Sequence, residues 1–248
     1  MTQSIVENTH RLRRHIAVLA TQAPPTSGGR AAQLLAVSKG QPVDAIRAAH
    51  AAGQLHFGES RVDEALKKQE TLADLRLCWH FIGPIQSNKT RRIAAHFDWV
   101  HSVDSLRVAE RLSAQRPATA PPLRVLLQVN LDSEPQKRGV APTGLATLAG
   151  AVTELPHLQL CGLMALPERR PVADHRREPF DRLRGLAEQL QQLGLPAKLL
   201  SMGMSDDMEA AIAAGAHWVR IGRALFGPPH GQPTPGPSHP KEVLHAPR

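Results

Sequence analysis

The sequence predicts a single (β/α)8 barrel of the TIM type, an α/β fold, with an extra N-terminal helix. Three observations carry that expectation. Short apolar runs alternate with helical segments eight times along the chain, and such alternation implies a parallel sheet with right-handed crossovers. The chain has 248 residues, and closed barrels of this kind take about 250. Finally, the polar residues able to do chemistry collect at the ends of the apolar runs, where a barrel carries its active face.

The elements follow in order. Residues 1–22 read as an amphipathic helix with Ile5, Leu12, Ile16 and Leu19 on one face, expected to pack on the barrel. The segment from Ala23 to Gly29 breaks structure through its Pro, Ser and Gly. The barrel is expected over 33–227. Its first strand, Gln33–Ser38 (QLLAVS), is apolar throughout, as a strand buried on both faces should be. A helix follows over Pro42–Ala52, with proline acceptable at its first position. Then come strand Leu55–Gly58, helix Ser60–Leu72, strand Cys78–Gly83, helix Ser87–His96, strand Trp99–Ser102 and helix Ser105–Gln115. Past a Pro-rich link lie strand Leu123–Asn130, helix Pro142–Leu155 and strand Leu158–Met164. A longer loop precedes a helix with Phe180, Leu183, Ala187 and Leu190 on one face. Strand Lys198–Met202, helix Asp206–Ala214, strand His217–Ile221 and a short helix from Arg223 complete the set. Residues 228–248 are dense in Pro and Gly and are expected to form a mobile tail.

Composition excludes several classes. Hydrophobic residues at 42% and charged residues at 21% describe a globular chain, neither disordered nor membrane-bound. No run of about 18 apolar residues occurs, so no transmembrane helix is expected. The first twenty residues lack the apolar stretch of a signal peptide, which favours a cytoplasmic location. The formal charge is +8, but the basic residues are scattered and aromatics make up only 3%. A nucleic-acid binder would gather such charge in a stripe with aromatics for stacking. The one dense basic stretch, Arg169, Arg170, His175, Arg176 and Arg177, reads as a loop. An anionic small ligand explains a local need for Lys and Arg. Cys78 and Cys161 are the only cysteines. They make neither a disulfide framework nor a metal site and read as buried thiols of a reducing compartment.

The loops after the seventh and eighth strands are where barrels commonly bind phosphate. After the seventh comes Ser201-Met202-Gly203-Met204-Ser205-Asp206-Asp207, whose hydroxyls and helix start suit an anion. Asp206 with Glu209 also fits a capping box, and Ser205 would make a good cap; cap and anion site share one geometry. After the eighth comes Arg220-Ile221-Gly222-Arg223, where Gly222 permits close approach to the backbone and the following N–H groups would face an anion. Lys39 closes the first strand. As a strand-terminal lysine it is ordinary. Enclosed by barrel walls it would give up its proton more readily than in water, and a neutral amine is what an aldehyde needs to form a Schiff base. A phosphate site opposite such a lysine suggests a phosphosugar aldolase or a pyridoxal phosphate (PLP) protein. His56, Glu59, Ser60, His80, Gln86, Ser87, Asn88, Lys89, Asn130, Lys137 and Met164 also lie near strand ends.

In order and spacing, LLAVSKGQP (34–42), HFGES (56–60), WHFIGPIQSNK (79–89), GLMAL (162–166) and SMGMSDDMEAAIAAGAHWVRIGRALFG (201–227) closely resemble the pyridoxal phosphate homeostasis proteins, the YggS/PROSC family. The resemblance covers Leu34 to Gly227. It implies a barrel similar to the N-terminal domain of alanine racemase, with PLP as cofactor and a role in intracellular vitamin B6 balance. It implies that Lys39 forms the internal aldimine. Ser201, Gly203, Ser205, Gly222 and Arg223 match the phosphate-binding loops, Arg220 the arginine near the pyridine nitrogen, and Asn88 and Met164 the pocket lining. The family pattern has Asn and then an aromatic residue where this chain has Ser60 and Arg61, and the serine side chain has a shorter reach for any contact made there.

The residues argue for a holder of PLP more than a racemase. An acidic partner keeps the pyridine nitrogen protonated and deepens its electron sink, whereas an arginine can only donate to that nitrogen. The chain contains no tyrosine, which removes the second base of two-base racemases, and no second β domain is expected. The alternative is a racemase-like PLP enzyme in which Lys89 or Lys137 serves as the second base. PLP-requiring apo-enzymes are the expected partners of a monomeric carrier, with no nucleic acid, membrane or metal.

Overall fold

A computed structural model describes residues 2–23, 31–132, 137–168 and 177–228. The strands are β1 (Gln33–Val37), β2 (His56–Glu59), β3 (Cys78–Phe81), β4 (Trp99–Val103), β5 (Leu123–Val129), β6 (Leu158–Ala165), β7 (Leu199–Ser201) and β8 (Trp218–Ile221). They form a closed parallel barrel in sequence order, with β1 hydrogen-bonded to β8. The helices are α1 (Thr2–Gln22), α2 (Val43–Ala51), α3 (Val62–Thr71), α4 (Thr90–His96), α5 (Leu106–Gln115), α6 (Leu145–Thr153), α7 (Glu178–Gln192), α8 (Met208–Ala213) and α9 (Arg223–Phe226). The predicted fold class is the one observed.

Side chains alternate between the two faces of each strand, which divides the core in two. The outer layer, including Leu34, Ala36, Phe57, Phe81, Val125 and Val219, packs against the apolar stripes of the helices. The lumen is filled by Leu35, Trp99, Leu126, Met164, Leu199 and Trp218. α1 lies against β1, α2, α8 and α9, burying Ile5, Leu12 and Ile16. Thr9 is also on that face, and its hydroxyl is satisfied by donating to Ile5 O at 2.7 Å.

Several boundaries move. β1 ends at Val37, because Ser38 N–H donates to Gly58 O and Gln41 N–H then returns to Ser38 O; Lys39 therefore stands in a turn rather than on the strand. α8 starts at Met208, not Asp206. The carboxylate of Asp207 accepts the Met204 N–H and closes a turn ahead of the helix, which puts Asp207, not Asp206, at the N-cap position. Glu209 meets His15 of α1 at 3.2 Å. Neither Cys78 nor Cys161 is in a disulfide, and both are only half-buried, packed at the edge of the lumen cluster. The expected tail from Pro229 onward, and Arg169, Arg170, His175 and Arg176 of the basic loop, lie outside the described residues. Arg177 precedes α7 and pairs with Asp181 at 3.0 Å.

Candidate functional site

The C-terminal mouth is built around the turn Ser38-Lys39-Gly40. Lys39 is exposed there, which corrects the expectation of an enclosed amine: the first strand stops before the lysine and delivers it to the rim. Its neighbours on both sides are tied down. Ser38 is buried, and its hydroxyl donates to Glu59 Oε1 at 2.7 Å. Its carbonyl accepts Lys68 Nζ at 2.7 Å. Gly40 N–H donates to Glu64 Oε1 at 2.6 Å. Lys68 links the set, reaching Glu59 at 2.8 Å and Glu64 at 2.6 Å. Burial pushes the Glu59 carboxyl above its ordinary range although Lys68 and Ser38 pull it down. Glu64 keeps a lowered value: its partial burial opposes ionisation, but hydrogen bonds from Lys68 and Gly40 outweigh that. A clamp of two carboxylates and one ammonium thus fixes the turn while leaving the Lys39 side chain accessible.

The expected phosphate loops lie beside this turn, not opposite it. Because β8 is paired with both β7 and β1, the mouth ends of β7, β8 and β1 are consecutive staves. Gly203 follows β7 with φ +86°, and a Cβ there would lie 2.4 Å from the Ala211 Cβ. Glycine is therefore required twice over, for its left-handed backbone and for the close approach of α8. Ser205 is half-buried in the succeeding turn. A Cβ on Gly222 would lie 3.3 Å from Val37 O, so glycine keeps the β8 loop against β1, two residues before Lys39. Leu225 and Phe226 N–H both return to Gly222 O. The N–H groups of Arg223 and Ala224 thus precede the first internal bond of α9 and face outward from its start. This donor set suits the phosphate of PLP, and the amine beside it suits the aldehyde.

Ser201 occupies a different position from the one expected. It ends β7, fully buried, with its hydroxyl oxygen 2.9 Å from both His101 Nδ1 and Arg220 Nη1, so it supports Arg220 from within the lumen. Arg220 is buried and also donates to Ala165 O at 2.9 Å. Burial lowers its pKa to about 10, which leaves it a cation and donor at neutral pH. Met164 is buried in the lumen. Asn88 is exposed in a 3₁₀ turn, Ser87–Lys89. Lys89 is paired with Asp63 of α3 at 3.0 Å. Lys137 lines a mouth cavity of about 290 Å³ with Ile82, Gln128 and Asn130, on the β3, β5 and β6 side, away from Lys39.

His56 and His80 are not at the mouth. His56 opens β2 at the barrel's base, and His80 is fully buried above it. They continue the chain that starts at Arg220. His101 Nε2 lies 2.9 Å from His80 Nδ1, and His80 Nε2 lies 2.9 Å from His56 Nδ1. Burial, reinforced by neighbouring rings and by the charge of Arg124 at His80 and of Arg220 at His101, holds both well below the ordinary imidazole value. Burial lowers His56 as well. A polar file of Arg220, Ser201, His101, His80 and His56 therefore runs down the lumen uncharged except at its top. Sequence reading missed His101 and the Glu59–Lys68–Glu64 clamp. The available signal was a histidine in the inward phase of two successive apolar strands, CWHF and WVHSV.

Comparison with known proteins identifies relatives of this chain. Residues 8–229 match the family model described as alanine racemase, N-terminal domain. The pyridoxal phosphate homeostasis protein of Pseudomonas aeruginosa is 58% identical over 214 residues, 86% of this chain and 90% of that protein. The protein of the same name from Escherichia coli K12 is 47% identical over 234 residues, covering 90% and 96%. Among solved structures, PipY of Synechococcus elongatus PCC7942 with PLP bound is 42% identical, with a TM-score of 0.79 over 90% of this chain and all of that one. Alanine racemase of Corynebacterium glutamicum, at 21% identity and TM-score 0.64 over 96% of this chain and 63% of its own, shares the fold.

Proposed function

Given that this chain belongs to the pyridoxal phosphate homeostasis proteins, within the family of the alanine racemase N-terminal domain, we propose that it binds PLP at the barrel mouth and serves in PLP homeostasis without turnover. The observation that carries this reading is the clamped turn presenting Lys39 on the stave next to the β8 loop. Lys39 is the covalent anchor. Backbone N–H groups after β7 and β8, with Gly203, Ser205, Gly222 and Arg223, hold the phosphate. Met164 and Asn88 bound the ring, and Ser201 acts by orienting Arg220.

When bound, PLP supplies an aldehyde for an amine and a ring able to withdraw electrons. Arg220 weakens the second property. It is buried, cationic and fixed by Ser201 and Ala165, so it donates to the ring nitrogen and keeps that atom unprotonated. Lys89, engaged with Asp63 on α3, is held as a structural partner and not poised as a second base. Accessible anchoring with a shallow electron sink suits a protein that stores or hands over the cofactor.

The test is direct. The purified protein should show the visible absorbance of lysine-bound PLP, borohydride should fix the label on Lys39, and Lys39→Ala should abolish both. A colourless protein that takes up no PLP refutes binding. Deuterium incorporation at the α-carbon of any amino acid at enzyme-like rates refutes the absence of turnover.

A further inference from the structure

We propose that the base of the barrel holds a site for one soft divalent cation, Zn2+, with His56 Nδ1, Cys78 Sγ and His80 Nε2 as protein ligands. His56 and Cys78 face each other across the β2–β3 ladder, and His80 follows Cys78 in the same inward phase of β3. The three ligand atoms all lie within 4.8 Å of one another. His80 Nε2 is 2.9 Å from His56 Nδ1 and 3.5 Å from Cys78 Sγ. Zinc bonds of about 2.05 Å to nitrogen and about 2.3 Å to sulfur, at tetrahedral angles, place two nitrogens about 3.4 Å apart and nitrogen and sulfur about 3.6 Å apart. The Cys78–His80 spacing already fits, and the histidine pair has to open by about 0.5 Å.

The surroundings supply what such a site needs. Two imidazoles and a thiolate select zinc over the hard oxygen-seeking cations. His80 Nδ1 already meets His101 Nε2 at 2.9 Å, the outer hydrogen bond that fixes the ring of a metal-bound histidine. Asp98 accepts the Trp79 N–H at 2.8 Å and adds a negative charge beside the site, while burial first and Asp98 second push the Cys78 thiol up to about 12, so the cation must displace that proton. Arg124, over the Trp99 ring at 5.3 Å, is the opposing cation. Access is from below. His56 and Cys78 are half-buried, and His56 forms part of the wall of a cavity of about 530 Å³ between α1 and the starts of β1 and β2. Binding releases the Cys78 thiol proton to solvent, places the proton of His80 on Nδ1 toward His101, and leaves the fourth position to water. The site stands at the opposite end of the barrel from Lys39 and does not depend on the PLP reading. Counting cysteines in the sequence excluded a metal site; the register of β2 and β3 is what assembles one.

The test uses the full chain, reduced and stripped of metal by chelator, titrated with Co2+ without oxygen. The expected result is saturation at a single equivalent, with the intense visible bands of tetrahedral cobalt and a thiolate charge-transfer band, both displaced by Zn2+. Cys78→Ser should remove the charge-transfer band, and His56→Gln should weaken binding roughly 10–100-fold. Cys161→Ser, whose sulfur lies outside the cluster, should change neither. Circular dichroism of each variant checks folding, and the His56→Gln affinity ratio keeps the test decisive if Cys78→Ser proves unstable. Octahedral, non-saturating cobalt spectra overturn the proposal, as does a charge-transfer band that responds to Cys161→Ser instead of Cys78→Ser.

Discussion

Replacing Lys68 by Met should destabilise the protein by about 3–5 kcal/mol near neutral pH, the range for removing one partner of a buried ion pair. Lys68 and Glu59 have side chains 7% and 0% exposed, with N and O 2.8 Å apart. At an effective dielectric of about 20 their attraction is about 6 kcal/mol. Methionine matches the stem of lysine but leaves Glu59 buried beside Ser38 alone, with Oε2 already unpartnered. The loss is capped because Glu59 can take up a proton instead of staying charged, and each pH unit by which its pKa rises corresponds to about 1.4 kcal/mol. Its folded value already lies above the ordinary 4.5, chiefly through burial, and Lys68 pulls it down; the variant raises it further. Between the unfolded and folded values the folded state holds a proton the unfolded chain has released, so stability falls as pH rises through that interval. The deficit of Lys68→Met should therefore be larger at about pH 8 than at about pH 5. Urea unfolding followed by circular dichroism at both pH values measures it, and Lys68→Met combined with Glu59→Gln should recover at least half. A deficit below about 1 kcal/mol, or one equal at both pH values, refutes the clamp as described. Against a typical stability of about 5–15 kcal/mol, the predicted loss is large, and it should loosen the Lys39 turn and weaken PLP uptake.

Further outcomes follow from other parts of the molecule. Gly203→Ala should cost about 1–3 kcal/mol through left-handed backbone strain and a Cβ only 2.4 Å from Ala211, and it should lower PLP affinity; an unchanged melting temperature would contradict that reading of the β7 loop. His80 and His101 have folded values well below 6.5, so the unfolded chain binds their protons first and stability should fall as pH drops below about 6.5, by up to about 1.4 kcal/mol per pH unit for each. His101→Gln should flatten that acid limb in urea titrations, and an identical slope in the variant would show that the file does not stay neutral. Arg220, lowered only to about 10 by burial, should give PLP binding no dependence on its own ionisation between pH 6 and 8. Arg220→Met should leave the carbonyl of Ala165 without its donor and cost about 1–3 kcal/mol, measured by thermal unfolding.

Much of the molecule was legible in the chain itself. Eight apolar runs with intervening helical stripes specified the barrel because only strands buried on both faces read that way. The glycines and hydroxyls after β7 and β8 marked the mouth because a barrel exposes its strand C-termini there. What could not be read was anything set by register. Whether Lys39 faces the phosphate loops or stands beside them depends on closure between β1 and β8, a contact of residues about 185 positions apart. Ser201 read as part of a phosphate loop; as the last residue of β7 its side chain points into the lumen, where His101 and Arg220 engage it. Glu64 and Lys68 stand four residues apart on α3, but nothing in the sequence ties them to Glu59, because that meeting is set by the packing of α3 under the Lys39 turn. His56, Cys78, His80 and His101 come from three successive strands, and only the parallel ladder stacks their inward phases into one file. The amino-acid order alone thus determined the strands, their faces and the chemical groups at the rim; barrel closure and stagger, which act between distant segments, decided which of those groups touch.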